Sequence, residues 1–93
     1  MIYILSYQLQ TPDKDYAPLY KYIEHSIGDS AVHVLRDSWW IGTKQEINVN
    51  EVADQVREYM GEKDSVFIAR LSTDVPINGW LPSSHWAWFS SNK

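Results

Sequence analysis

Residues 31–44 read Ala31-Val32-His33-Val34-Leu35-Arg36-Asp37-Ser38-Trp39-Trp40-Ile41-Gly42-Thr43-Lys44. Ala31 to Arg36 and Trp39 to Lys44 are β-favouring runs. The two residues between them, Asp37-Ser38, leave room for nothing longer than a tight hairpin. An antiparallel pair at the centre of a short chain makes the flanking segments decisive, because the elements on either side determine what the hairpin packs against.

Upstream, Tyr16, Leu19, Tyr20, Ile23 and Ile27 recur at the spacing of an amphipathic helix. Asp15 is a natural N-cap, Pro18 is tolerated in the first turn, and Gly28 suits the C-terminal stop. Thr11 to Asp15 is a turn. Before it, residues 2–9 alternate as a strand, with Ile2, Ile4, Ser6 and Gln8 on one face and Tyr3, Leu5, Tyr7 and Leu9 on the other. Downstream, Asn48 or Asn50 caps a helix whose apolar stripe is Val49, Val52, Ala53, Val56, Tyr59 and Met60. Glu51 is placed to complete a capping box, and Gly61 ends the helix. Ser65 to Leu71 is apolar almost without interruption and reads as a buried fourth strand.

Two βα units joined through a hairpin give the order βαββαβ. That is the ferredoxin-like α+β plan, a four-stranded antiparallel sheet with both helices on one face. Beyond the fourth strand, Pro76, Asn78-Gly79 and Pro82 interrupt regular structure over residues 72–82. The tail Ser83-Ser84-His85-Trp86-Ala87-Trp88-Phe89 follows. A helix capped by Ser83 or Ser84 packs Trp86 and Phe89 together, whereas a strand sets Trp86 and Trp88 on one face; the reading favours the helix.

The 93 residues fit one domain, and a domain this small buries only roughly 60 to 65% of the surface its unfolded chain exposes. There is no cysteine to staple it. Five Trp and six Tyr partly compensate by supplying large buried rings. The first strand is too short for a signal peptide or membrane span and lacks a basic leader, which is the pattern of a cytoplasmic protein. A net charge of -4, with eight scattered Lys and Arg, provides no overall field toward nucleic acid or anionic lipid.

The helix-free face of the sheet is too apolar for solvent. Ile2 and Ile4 lie opposite Tyr3 and Leu5, and Val66 and Ile68 lie opposite Phe67 and Ala69. Either the aromatic tail or a second subunit packed sheet to sheet must cover it, and the expected assembly is a homodimer.

Candidates for chemistry are few. His25, His33 and His85 show no metal-ligand spacing, no G-x-S-x-G elbow accompanies the serines, and the glycines form no phosphate loop. The tryptophans, Trp40 among them, could stack on bases, with Arg36 and Arg70 as a small basic patch, although packing accounts for most of these rings.

Ser6-Tyr7-Gln8-Leu9 followed by Pro12 and Asp15-Tyr16, then Ser38-Trp39-Trp40-Ile41, and a Trp-rich segment after Trp80, together resemble the small Cas2-like proteins of the SinR family. The resemblance implies a ferredoxin-like homodimer whose sheets face each other, a structural role beside nucleic acid in CRISPR adaptation, and, in some members, metal-dependent nuclease activity. In that family the first strand ends in Tyr-Asp, and the Asp of each subunit is the proposed metal ligand. Gln8 occupies the matching position here. A neutral amide brings no charge to offset the dehydration of Mg²⁺.

Asp13, Asp15 and Asp37 lie on nearby turns as substitutes, with Asp15 explained as a cap and Asp37 as a turn residue. Ser6, Gln8 and Asp37 are therefore the dimer-cleft candidates, and no metal site is expected. Three readings remain open: a non-catalytic homodimeric adaptor of defence or mobile-element systems, a Mg²⁺-dependent endonuclease of the same lineage, and a protein or small-ligand binding module that shares only the fold.

Overall fold

In the computed structural model, which describes residues 1–93, the central hairpin forms between β2 (Ser30–Leu35) and β3 (Ser38–Gly42). Its turn is Arg36-Asp37, one residue earlier than the composition suggests. Ser38 belongs to the ladder, pairing with Leu35 on one side and Ser6 on the other. Around the hairpin the chain runs β1 (Ile2–Gln8), α1 (Ala17–His25), β2, β3, α2 (Val49–Arg57), β4 (Ser65–Leu71) and α3 (Ser83–Asn92). The sheet order is β2-β3-β1-β4 with every neighbouring pair antiparallel. This is the ferredoxin-like α+β fold with an additional C-terminal helix.

β1 and β3 are the central strands, and every residue of β3 is buried. The pleat sends alternate side chains to opposite faces. Tyr3, Leu5 and Tyr7 of β1, with Trp39 and Ile41 of β3, meet Leu19 and Ile23 of α1 and Val56 and Met60 beneath α2. On the other face Ile2, Val34 and Trp40 form a second core with Phe89 of α3. Burial of both faces explains the weak alternation of the central strands β1 and β3. β4, read from its apolar run as a buried strand, is instead an edge strand in which no residue is fully buried and Phe67 is 58% exposed, because it has a neighbour on one side only and its helix-free face lies beyond α3.

The tail is a helix and packs Trp86 against Phe89, their ring centroids 6.3 Å apart. Trp40 is its anchor, 5.1 Å from the ring of Phe89, 5.6 Å from Trp86 and 6.3 Å from Trp88. Trp88 Nε1 donates to Ser30 Oγ at 2.6 Å, and Asn92 lies against Gly42, where an added Cβ would come within 2.8 Å of its side-chain oxygen. The chain's own tail thus closes the end of the second face around Ile2, Trp40 and Gly42.

The helix ends depart from expectation in instructive ways. The N-cap position of α1 is Tyr16, but the carboxylate of Asp15 still accepts the Ala17 amide at 3.0 Å and satisfies one orphan donor. α1 stops at His25, with Ser26 as its C-cap, and Gly28 adopts no positive φ. Its role is close approach: a Cβ there would sit 2.6 Å from the Gly42 carbonyl oxygen. Asn48 caps α2, accepting from Asn50 and Glu51 at 3.0 and 3.2 Å, without a return bond from Glu51 to complete the box. After Arg57 the last turn tightens, because the amides of Glu58, Tyr59 and Met60 bond three residues back. α3 begins after Pro82, with neither Ser83 nor Ser84 as a side-chain cap.

Two aromatic truncations should separate the tail's packing from its exposed loop. Phe89→Ala removes a ring from the second core and is expected to cost about 3 to 5 kcal/mol. Trp80→Ala, at a fully exposed position, should leave the folded monomer within about 0.5 kcal/mol of wild type when measured at a protein concentration too low for self-association to contribute. Denaturant melts of the two variants measure both.

Candidate functional site

At the other end of the second face the cover runs out. Ser6 pairs with Ser38 across β3 and with Phe67 across β4, and Gln8 pairs with Ser65. A register irregularity between His33 and Leu35 lets β2 present both Val34 and Leu35 toward this face, as a bulge does. Val34 is buried, but Leu35 is 59% exposed and Phe67 58% exposed. These apolar side chains flank neutral polar ones. Ser6 Oγ lies 3.1 Å from Ser38 Oγ and donates to the Asp37 carbonyl at 3.3 Å, and Gln8 is exposed at the strand end.

Between this open end and α3 lies a groove of about 340 Å³. Ile4, Trp40 and Leu71 of the sheet form its floor, Ile77 and Trp86 its far wall, and Trp80 its rim. None of its lining residues is charged. Asn78 and Gly79 precede Trp80, and the Gly79 amide donates to Asn78 Oδ1 at 2.8 Å. Trp80 is 102% exposed, as open as in an extended chain.

The sequence-derived candidates divide on this geometry. Ser6, Gln8 and Asp37 come together at the open end, with Asp37 using its backbone carbonyl to accept the Tyr7 amide at 3.0 Å. Asp13 occupies a left-handed turn position, φ 61°, and Asp15 supports the start of α1. No three His, Cys, Asp or Glu side chains gather into a set suited to a metal ion.

Arg36 and Arg70 lie far apart. Arg36 is in the β2–β3 turn beside Tyr7, whereas Arg70 pairs with Tyr3 toward the opposite end of β1. Arg70 borders a separate polar cleft with Met1, Ser72, Thr73, Asp74 and Lys93. Trp40 is buried in the second core, its ring packed among Trp86, Trp88 and Phe89. The three histidines are scattered: His25 ends α1 near Glu24, His33 stacks on Trp39 at 4.3 Å, and His85 begins α3.

The most perturbed carboxylate was not legible in the sequence. Asp64, only 4% exposed, accepts five hydrogen bonds. Oδ1 takes the Gln10 amide at 2.6 Å and the amide and hydroxyl of Thr11 at 3.0 and 3.1 Å. Oδ2 takes Tyr16 OH at 2.6 Å and the Gly61 amide at 2.8 Å. Burial pushes its pKa upward, but the donors from Tyr16, Gly61, Gln10 and Thr11 more than reverse this and hold the carboxyl well below the ordinary range. With every donor coming from its own chain, Asp64 is a clasp joining the β1–α1 turn to the α2–β4 turn. Gly61 fits because a Cβ would overlap the Thr11 side chain. Tyr7 is a second structural case: burial pushes its phenol up to about 12 against the lowering effect of the Trp39 hydrogen bond.

No family model, curated protein or solved structure matches the chain. No helix is long and apolar enough to cross a membrane.

The Asp64 clasp predicts an asymmetric acid response. Its depressed folded-state pKa contributes stability that is complete above the unfolded value of 3.8 and is lost as pH falls from there toward the folded value. Tyr7, raised from 10.0 to about 12, contributes stability that is complete below pH 10.0 and is lost as pH rises through about 12. Asp64→Ala should cost on the order of 3 to 5 kcal/mol, because it leaves several buried donors unpaired. Denaturant melts across pH should show the acid limb flattened in Asp64→Asn and the alkaline limb flattened in Tyr7→Phe.

Proposed function

We propose that this chain is a non-catalytic binding module that works as a homodimer, an adaptor of the Cas2-like kind in defence or mobile-element systems. The observation that carries the reading is the uncovered end of the second sheet face. There Leu35 and Phe67 stand more than half exposed around neutral Ser6, Ser38 and Gln8. Exposed apolar side chains set around neutral polar groups make a protein interface rather than a reaction centre.

Catalysis has little support from the donor set. Gln8 stands at the strand-one position where the resemblance implies a carboxylate, Asp37 meets the strand through its backbone carbonyl, and the carboxylate of Asp64 near this strand end is filled by donors of its own chain. Direct nucleic-acid contact by a single subunit is also weakly supported, since Arg36 and Arg70 are separated and the chain carries a net charge of -4. The adaptor role is therefore read as bringing a protein partner to a dimeric platform. The groove beside Trp80 supports a second reading, a small-ligand module, because it is concave, apolar and within the size of small-molecule sites.

Sedimentation velocity is expected to show a mass that rises toward twice that of the chain as concentration increases to a few hundred micromolar, roughly a hundredfold above a micromolar dissociation constant, and a mass that stays monomeric throughout would refute the homodimer. Labelled RNA and DNA incubated with Mg²⁺ or Mn²⁺ should remain uncut. Metal-stimulated cleavage that disappears in Gln8→Ala or Asp37→Ala would establish the nuclease reading instead.

A further inference from the structure

We propose that Trp80 is the anchor of the dimer, inserted into the apolar groove of a second copy while that copy's groove receives Trp80 in return. The inference rests on the homodimer reading above and goes beyond it by naming the plug and the socket. Three observations carry it.

The first is the contrast among the tryptophans. Trp39 and Trp40 are buried, and Trp86 and Trp88 are half-buried against the second core. Trp80 alone is fully exposed. It stands just after Asn78-Gly79, in a connection between β4 and α3 that carries no helix or strand. A large ring presented to water with its own hydrogen-bond donor is the side chain most often found at the energetic centre of an interface.

The second is that socket and plug share one surface. The groove of about 340 Å³ opens directly beside Trp80. It is large enough for one indole ring, but too small for a helix, which is about 10 Å across with its side chains. A surface carrying both a protruding ring and an adjacent socket is self-complementary under a two-fold axis, so two copies satisfy each other and the assembly closes at two. The uncharged lining means that neither copy's net negative charge is buried at the contact.

The third is area. On this face Trp80 entire and more than half each of Leu35 and Phe67 are exposed. Together they expose roughly 500 Å² of apolar surface per copy. Two copies that cover these side chains completely bury on the order of 1,000 Å², which is the lower edge of specific interfaces.

The test is sedimentation velocity over roughly 1 to 300 µM, a range that brackets a micromolar dissociation constant, on wild type, Trp80→Ala and Leu35→Arg. Trp80→Ala removes the plug and trims the socket's rim, but keeps the floor of Ile4, Trp40 and Leu71 and the far wall of Ile77 and Trp86. Leu35→Arg places a long charged side chain at the socket and keeps the plug. Each alone should weaken self-association at least tenfold. An equimolar mixture of the two restores one insertion of the two, and should therefore associate more tightly than either variant alone. Far-UV circular dichroism should show both variants folded.

A wild-type dimer that Trp80→Ala leaves unchanged would overturn the plug and leave the homodimer standing. Variants that weaken the dimer without complementing each other in the mixture would overturn the reciprocal socket. A wild type that stays monomeric over the whole range would overturn this proposal together with the homodimer.

Discussion

Trp39 and Trp40 are neighbours in sequence and belong to different cores. The strand pleat turns Trp39 toward the helices and Trp40 toward the tail, and the rest of the molecule is arranged around that division. On the Trp39 side, α1 and α2 complete an ordinary one-faced ferredoxin-like core. On the Trp40 side, a ring that no helix of the basic plan covers requires a further element. α3 supplies it through Trp86, Trp88 and Phe89. A small domain without disulfides thereby gains a second hydrophobic core.

That second core also determines where the surface stays open. α3 is held at one end of the face by the Trp88–Ser30 hydrogen bond and the close approach of Asn92 to Gly42. The opposite end, around Ser6 and Phe67, lies beyond its reach. The loop leading to α3 crosses between the two regions and forms the groove wall with Ile77 and Trp80. Stability and binding surface are thus linked: the helix that shields Trp40 defines the groove and presents Trp80 at its rim.

The Asp64 clasp works on the helix side in a comparable way. It joins two turns that are distant in sequence through one buried carboxylate whose lone pairs are filled by Gln10, Thr11, Tyr16 and Gly61. A buried acid with a strongly displaced pKa often marks a reactive centre. Here its partners are saturated and all belong to the chain, so the displacement measures how firmly the turns are held together.

Local pattern was enough for most of the architecture. The β-favouring runs and two-residue gap of the hairpin at residues 31–44, the helical spacing from Tyr16 and from Val49, and the continuous apolar run at Ser65 to Leu71 are all local patterns written along the chain. The element order followed from them, as did the choice of a helix for the tail. Helix ends were less legible, because the close packing of Gly28 against Gly42 and of Gly61 against Thr11 comes from other segments. Long-range juxtaposition was legible only in outline: the apolar helix-free face called for a cover and the aromatic tail was one candidate, but which residues meet was not written in the sequence. Nothing near Asp64 in sequence announces donors from residues 10, 11 and 16, and nothing near Trp40 announces that the tail encloses this ring while Trp80 is left in solvent. Periodicity records which side of an element is apolar. Which apolar side meets which is decided only when the elements pack.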